Sequence, residues 1–153
     1  MQKQKGFTII ELIVVIAIIA VLASIVLVNV TQYINKGKDA AAQGNLSSLL
    51  TNSAVWSDTN STFTDFYSGT TSPITTLAGC TGSALFTGPC AALYNAGYTS
   101  ITVTCDGTNC HTAGATKWCV MITKKSSTNT YCVDSTGNKL DKASGTCSAG
   151  VCG

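Results

Sequence analysis

Between Leu12 and Val28 the chain carries nothing more polar than Ser24. These ~17 residues rise about 25 Å as a helix, and Phe7 to Ile10 add another turn, so the segment is long enough to cross a bilayer. Water solvates such a surface poorly, so lipid or other apolar helices must cover it. One carboxylate, Glu11, stands at the head of the run. An ionisable group inside a membrane segment is costly and points to a function. The run also limits the rest of the fold: in a chain of 153 residues, the remainder suffices for about one soluble domain.

Three arrangements compete for the amino-terminal segment. In the first, Met1–Lys5 is the basic region of a secretory signal peptide cut between Ala23 and Ser24. The apolar residues continue past that site, however, through Ile25, Val26, Leu27, Val28 and Val30, and Glu11 interrupts the core. In the second the run is an ordinary single-span anchor. Its orientation is undecided by lysine counting, with Lys3 and Lys5 on one side and Lys36 and Lys38 on the other. The third accounts for the residues ahead of the run: a short basic leader, then Gly6, Phe7 and a glutamate four residues after that phenylalanine.

The stretch Lys5-Gly6-Phe7-Thr8-Ile9-Ile10-Glu11 resembles the amino terminus of type IV prepilins and the related type II secretion pseudopilins. The resemblance implies a leader at residues 1–6, removed by a prepilin peptidase that cuts after Gly6, and methylation of the freed Phe7 amine. It also implies that Glu11 is the assembly glutamate of the family. A carboxylate among apolar helices needs a partner, and the Phe7 ammonium of an adjacent copy is the natural one. The expected localisation is the inner membrane as a single-pass precursor, then a cell-surface filament of copies of itself or related pilins. The sequence departs from the family pattern at Ala20, where many members carry Gly, and at Val28, where many major pilins carry Pro. Helix melting tied to those residues would fall instead to Gly37 and Gly44.

Past the transmembrane and assembly segment, 7–30, helical propensity continues. Ala42, Leu46, Leu49, Leu50 and Ala54 fall on one helical face. The pattern predicts a single helix from about Thr8 to about Ser53, amphipathic over 31–55. A break near Gly37 is the alternative. Residues 57–76 read as loop, with Phe63, Phe66 and Tyr67 as its anchors. The whole predicts an α+β, pilin-like architecture: a long N-terminal helix packed on a small antiparallel β-sheet head, 56–153, with disulfides.

The head owes that last feature to eight cysteines at 80, 90, 105, 110, 119, 132, 147 and 152. An even number confined to a small domain beyond a membrane segment reads as a disulfide framework in an oxidising compartment, with metal binding as the competing reading. Lys117–Thr123 and Thr130–Asp134 read as hairpin arms with Lys124–Ser127 near the turn, and Ile101, Val103 and Cys105 as a further alternating strand. Facing Cys119 with Cys132 puts Trp118, Val120, Ile122, Tyr131 and Val133 on one apolar side, to pack on Leu46, Leu49 and Leu50. A one-residue slip scrambles both sides. The expected bridges are Cys119–Cys132 and the neighbour pairs Cys80–Cys90, Cys105–Cys110 and Cys147–Cys152.

No catalytic constellation emerges and no cofactor is implied. Cys110-His111 lacks the Cys-x-x-Cys-His spacing of haem attachment, and no second His exists. Asp134, Asn138 and Asp141 form an oxygen-rich loop that reads as a turn rather than a calcium site, since Lys139 and Lys142 oppose a cation. Charged residues make up only 10% of the chain, well below the usual quarter, and all nine basic residues are Lys. Removing Lys3 and Lys5 with the leader leaves seven lysines against seven acids, so net charge attracts neither nucleic acid nor anionic lipid. Five lysines nevertheless cluster late, at 117, 124, 125, 139 and 142. The alternative function is a minor pilin or pseudopilin that uses them to contact DNA or a surface ligand, or that acts in protein secretion.

Overall fold

The computed structural model describes residues 6–69, 72–107, 110 and 114–153. Helix α1 (Ile9–Asn60) is 52 residues long and passes through Gly37 and Gly44 without a break, about 78 Å by its rise. Thr8 starts it with a capping box: Thr8 Oγ1 accepts the Glu11 N–H, and the Glu11 carboxylate accepts the Thr8 N–H. Ser61 ends it in the left-handed conformation, its N–H returning to the Ser57 carbonyl.

The head seats on the second half of α1 through Asp39, Ala42, Leu46, Leu49 and Ser53, all buried. This stripe follows a three-four repeat. Leu50 is only half-buried and Ala54 is exposed, so the face turns away from the predicted one toward Ser53. Phe63, Phe66 and Tyr67 anchor the connection as expected, packed with Phe86 and Trp118 in tilted and edge-on ring contacts.

Helix α2 (Ala84–Asn95) lies against α1 and has no counterpart in the sequence reading. Pro89 inside it explains why the pattern is hard to see. A proline has no N–H to give the carbonyl four residues earlier. Here Asn52 of α1 supplies the missing donor, its Nδ2 lying 2.7 Å from the Leu85 carbonyl.

Four antiparallel strands in chain order form the sheet: β1 (Thr102–Cys105), β2 (Trp118–Thr123), β3 (Asn129–Asp134) and β4 (Lys139–Ala143). Trp118, Val120, Ile122, Tyr131 and Val133 face the core that holds Leu46 and Leu49. A small hairpin of β5 (Cys147–Ser148) and β6 (Val151–Cys152) covers the other face. Its turn needs positive φ at both Ala149 (48°) and Gly150 (74°), and a Cβ at Gly150 would sit 2.6 Å from the Lys117 backbone.

The register corrects two of the expected disulfides. Cys119 stands opposite Asp134, and Cys132 opposite Met121, two residues away from the predicted pairing. A slip of two keeps every side chain on its face, so the apolar pattern cannot distinguish the registers. Cys119 instead reaches Cys147 and Cys132 reaches Cys152, both in the covering hairpin. Cys147 and Cys152 are backbone partners in that hairpin and are not bonded to each other. Cys80 joins Cys90, and Cys105 joins Cys110. All eight sulfurs are therefore consumed, including the close trio Cys119, Cys132 and Cys147, which leaves no thiolate ligands for a metal.

Candidate assembly site

Among the described residues, the amino-terminal half of α1 takes no part in the core of the head. From Phe7 to Leu27 its large apolar side chains are between 46% and 81% exposed. Each such side chain left in water forgoes roughly 1.5–3 kcal/mol of burial. Among the described residues this is the one helix long and apolar enough to cross a membrane. Glu11 is the carboxylate on this surface. Its Oε2 accepts from the Thr8 N–H and the Thr8 hydroxyl, both at 2.8 Å, which folds it back toward Phe7. Gly6 and Phe7 are exposed, and nothing crowds Gly6. Met1–Lys5 lie outside the described residues.

A buried carboxylate hub fastens the head to α1. Asp39 is 3% exposed, and it accepts the Tyr98 hydroxyl, the Lys125 N–H at 2.7 Å and the Ser126 N–H at 2.9 Å. Burial pushes its carboxyl up, but the donors from Ser126, Tyr98 and Lys125 outweigh it and hold it down at about 2. This hub also sets the register of the β2–β3 hairpin. Lys124 N–H closes on the Asn129 carbonyl at 2.9 Å, and within that turn Lys125 and Ser126 are tied to α1 through Asp39. No role for Asp39 is assigned from the sequence, although it extends the buried three-four repeat by one step. Thr8 is likewise unassigned there, and Thr8-x-x-Glu11 is a visible capping signature.

The oxygen-rich loop is an internally bonded turn. Asp134 is fully buried and accepts from the backbone or side chains of Thr136, Asn138 and Cys152. Burial raises its carboxyl, these donors lower it, and the net direction is downward. Asp141 points elsewhere, to Lys124 Nζ at 2.7 Å. The two carboxylates are not brought to one point.

The late lysines do not form one stripe. Lys117 precedes β2, while Lys124 and Lys125 follow its other end, roughly 23 Å away along a seven-residue strand path. Lys139 donates to Ser47 Oγ, and Lys125 Nζ lies 5.2 Å from the centre of the Tyr98 ring. His111, the residue of the haem comparison, lies outside the described residues.

No curated protein and no solved structure matches the chain. A family model does match its amino terminus, where the capped glutamate and the uncovered helix lie. That family is described as the prokaryotic N-terminal methylation motif, and the match spans residues 1–27. Residues 1–27 thus carry the cleavage motif of type IV prepilins and pseudopilins, on a chain whose apolar helix fits a membrane-anchored precursor.

Proposed function

We propose that the chain is a structural subunit of a type IV pilus-like filament. A prepilin peptidase cuts it after Gly6, and it polymerises through α1, with Glu11 pairing to the Phe7 amine of a neighbouring copy. The observation that carries this reading is the conjunction of the matched motif with an apolar half-helix that the head leaves wholly uncovered. The bilayer covers that surface in the precursor, and sister helices cover it in the filament. Glu11 is poised for exchange, because among the described residues its hydrogen-bond donors both belong to the neighbouring Thr8. Moving among apolar helices, its carboxylate trades these local donors for an ammonium, which offsets the cost of desolvation. The role is one of assembly rather than catalysis. The spread of the late lysines gives the DNA-binding alternative no geometric support.

Two measurements test the reading. Intact mass from the native host is expected to give a chain beginning at methylated Phe7; a chain beginning at Ser24 or Met1 contradicts it. The variant Glu11→Ala is expected to insert in the membrane normally and to assemble poorly, and normal filaments from it would overturn the pairing.

A further inference from the structure

The charges of the head are sorted along α1. The end nearest the apolar run is marked by Asp39, against which the β2–β3 turn folds. Around it lie Lys36 and Lys38 on the exposed stretch of α1, Lys124 and Lys125 in the turn, and Lys142, whose strand position is in register with Thr130. Five lysines there face two aspartates, Asp39 and Asp141, for a net side-chain charge of +3. The opposite end follows from the end of α1 at Asn60 and the contacts of Phe63 with Ala115 and of Asp106 with Lys117. It holds Asp58, Asp65, Asp106 and Asp134 against Lys117, a net −3, while Lys139, which donates to Ser47 of α1, lies between the two ends. The near-zero total therefore conceals a dipole whose positive end faces the membrane segment.

Distances along the helix place that end at the lipid surface. If the hydrocarbon edge lies near Val30, Tyr33 is about 5 Å beyond it, Lys36 about 9 Å and Asp39 about 14 Å. Headgroups fill roughly the first 5–7 Å outside the hydrocarbon. Tyr33 is 72% exposed and falls in that layer, where tyrosine anchors membrane helices. Lys36 Nζ sits over its ring at 5.8 Å. Lys38 and Lys125 follow within about one further Debye length of 8 Å. Among the described residues only Lys124 of the five lysines is ion-paired.

We propose that this base of the head, with Tyr33, Lys36, Lys38 and Lys125, is a docking surface for anionic lipid headgroups in the leaflet on the head's side. It rests on the membrane-anchored reading of the precursor. Docking there sets the standing orientation of the unassembled subunit, and it has to be released when the helix leaves lipid for the filament.

The test uses the full chain in phosphatidylcholine bilayers containing traces of spin-labelled phosphatidylglycerol or spin-labelled phosphatidylcholine. Electron spin resonance reads the motionally restricted fraction of each. One lysine near an anionic surface is worth about a fivefold preference, so phosphatidylglycerol is expected to be favoured at least about fivefold at low salt. That preference should fall toward one in concentrated salt and in the triple variant Lys36→Gln/Lys38→Gln/Lys125→Gln. The far-end variant Lys117→Gln should keep it. Equal association of the two lipids with the inserted wild-type chain overturns the proposal, as does an equal loss in the far-end variant. A triple variant that keeps the lipid preference but loses chain-to-chain cross-linking would assign the surface to a second copy, and so also overturns it. A chain that fails to enter the bilayer at all would refute the membrane reading itself, a result distinguishable from the others by the absence of any restricted lipid.

Discussion

Replacing Asp39 by Asn tests how the head is fastened to its helix. The substitution keeps the size of the side chain but removes the charge and one of two acceptor oxygens. The Tyr98 hydroxyl, the Lys125 N–H and the Ser126 N–H then compete for a single oxygen. The wild-type carboxyl is held at about 2, against an ordinary value of 3.8, at a site only 3% exposed. That difference is worth roughly 2–3 kcal/mol of folding stability. Because the folded value is the lower one, the contribution is complete above the ordinary carboxylate range and is lost as pH falls toward 2. Asp39→Asn is therefore expected to cost about 2–3 kcal/mol at neutral pH, with the deficit closing between about pH 4 and pH 2. Urea unfolding of the disulfide-intact chain in detergent, followed through the buried Trp118, measures it. Asp106, Asp134 and Asp141 are also shifted downward, so the difference between variant and wild type is the quantity to plot. A variant within about 0.5 kcal/mol of wild type at pH 7, or a deficit as large at pH 2 as at pH 7, would refute the fastening argument. Tyr98→Phe removes one donor and leaves the carboxylate, and should cost about 1 kcal/mol.

Other consequences are open to direct measurement. Peptide mapping without reduction should recover Cys119 with Cys147 and Cys132 with Cys152, and a Cys119–Cys132 peptide would contradict the register. Chain entropy makes the Cys119–Cys147 bond, which spans 28 residues, worth about 3.5 kcal/mol, and Cys105–Cys110, which spans 5, worth about 2 kcal/mol. Paired Cys→Ser variants should rank in that order by midpoint denaturant concentration. Asn52→Ala strands the Leu85 carbonyl that Pro89 leaves without a donor, and is expected to cost about 1–2 kcal/mol; Asn52→Ala with Pro89→Ala should recover most of it. Gly150→Val demands a strained φ and a collision with the Lys117 backbone, so it should lower the thermal midpoint by several degrees, whereas no shift would show that the turn relaxes freely.

The parts of the fold legible in advance were those with a strong period or a strong composition. The apolar run, the sheet's inward face and the cysteine framework belong to this class. Leu46 and Leu49 lie in the core where their helical spacing puts them, and Val120 and Ile122 where their alternation does. The strand register is a different kind of information. Two-residue slips preserve the alternation, and the choice between them is made by Asp39 drawing the Lys124–Asn129 turn onto α1. Contacts between residues more than eighty positions apart leave no local trace. The same reason hides α2, whose Gly88 and Pro89 read locally as a break because the compensating Asn52 comes from another helix. Of the assembly site, Phe7 and Glu11 were legible because the chemistry is compressed into a few consecutive residues. The buried Asp39 was not, since a lone aspartate before an alanine run looks like a solvated charge.

The continuity of α1 has a mechanical consequence. From Asp39 to Ile9 the helix is a bare lever about 45 Å long, with the head clamped at one end and the capped glutamate near the other. Tilting the head by about 10° swings the glutamate end sideways by about 8 Å, comparable to the roughly 8–10 Å spacing between packed helices. A stiff lever of this length converts small changes in how the head is seated into the difference between one neighbouring helix and the next at the far end. Gly37, uncrowded and two residues from the clamp, is where its stiffness would be adjusted.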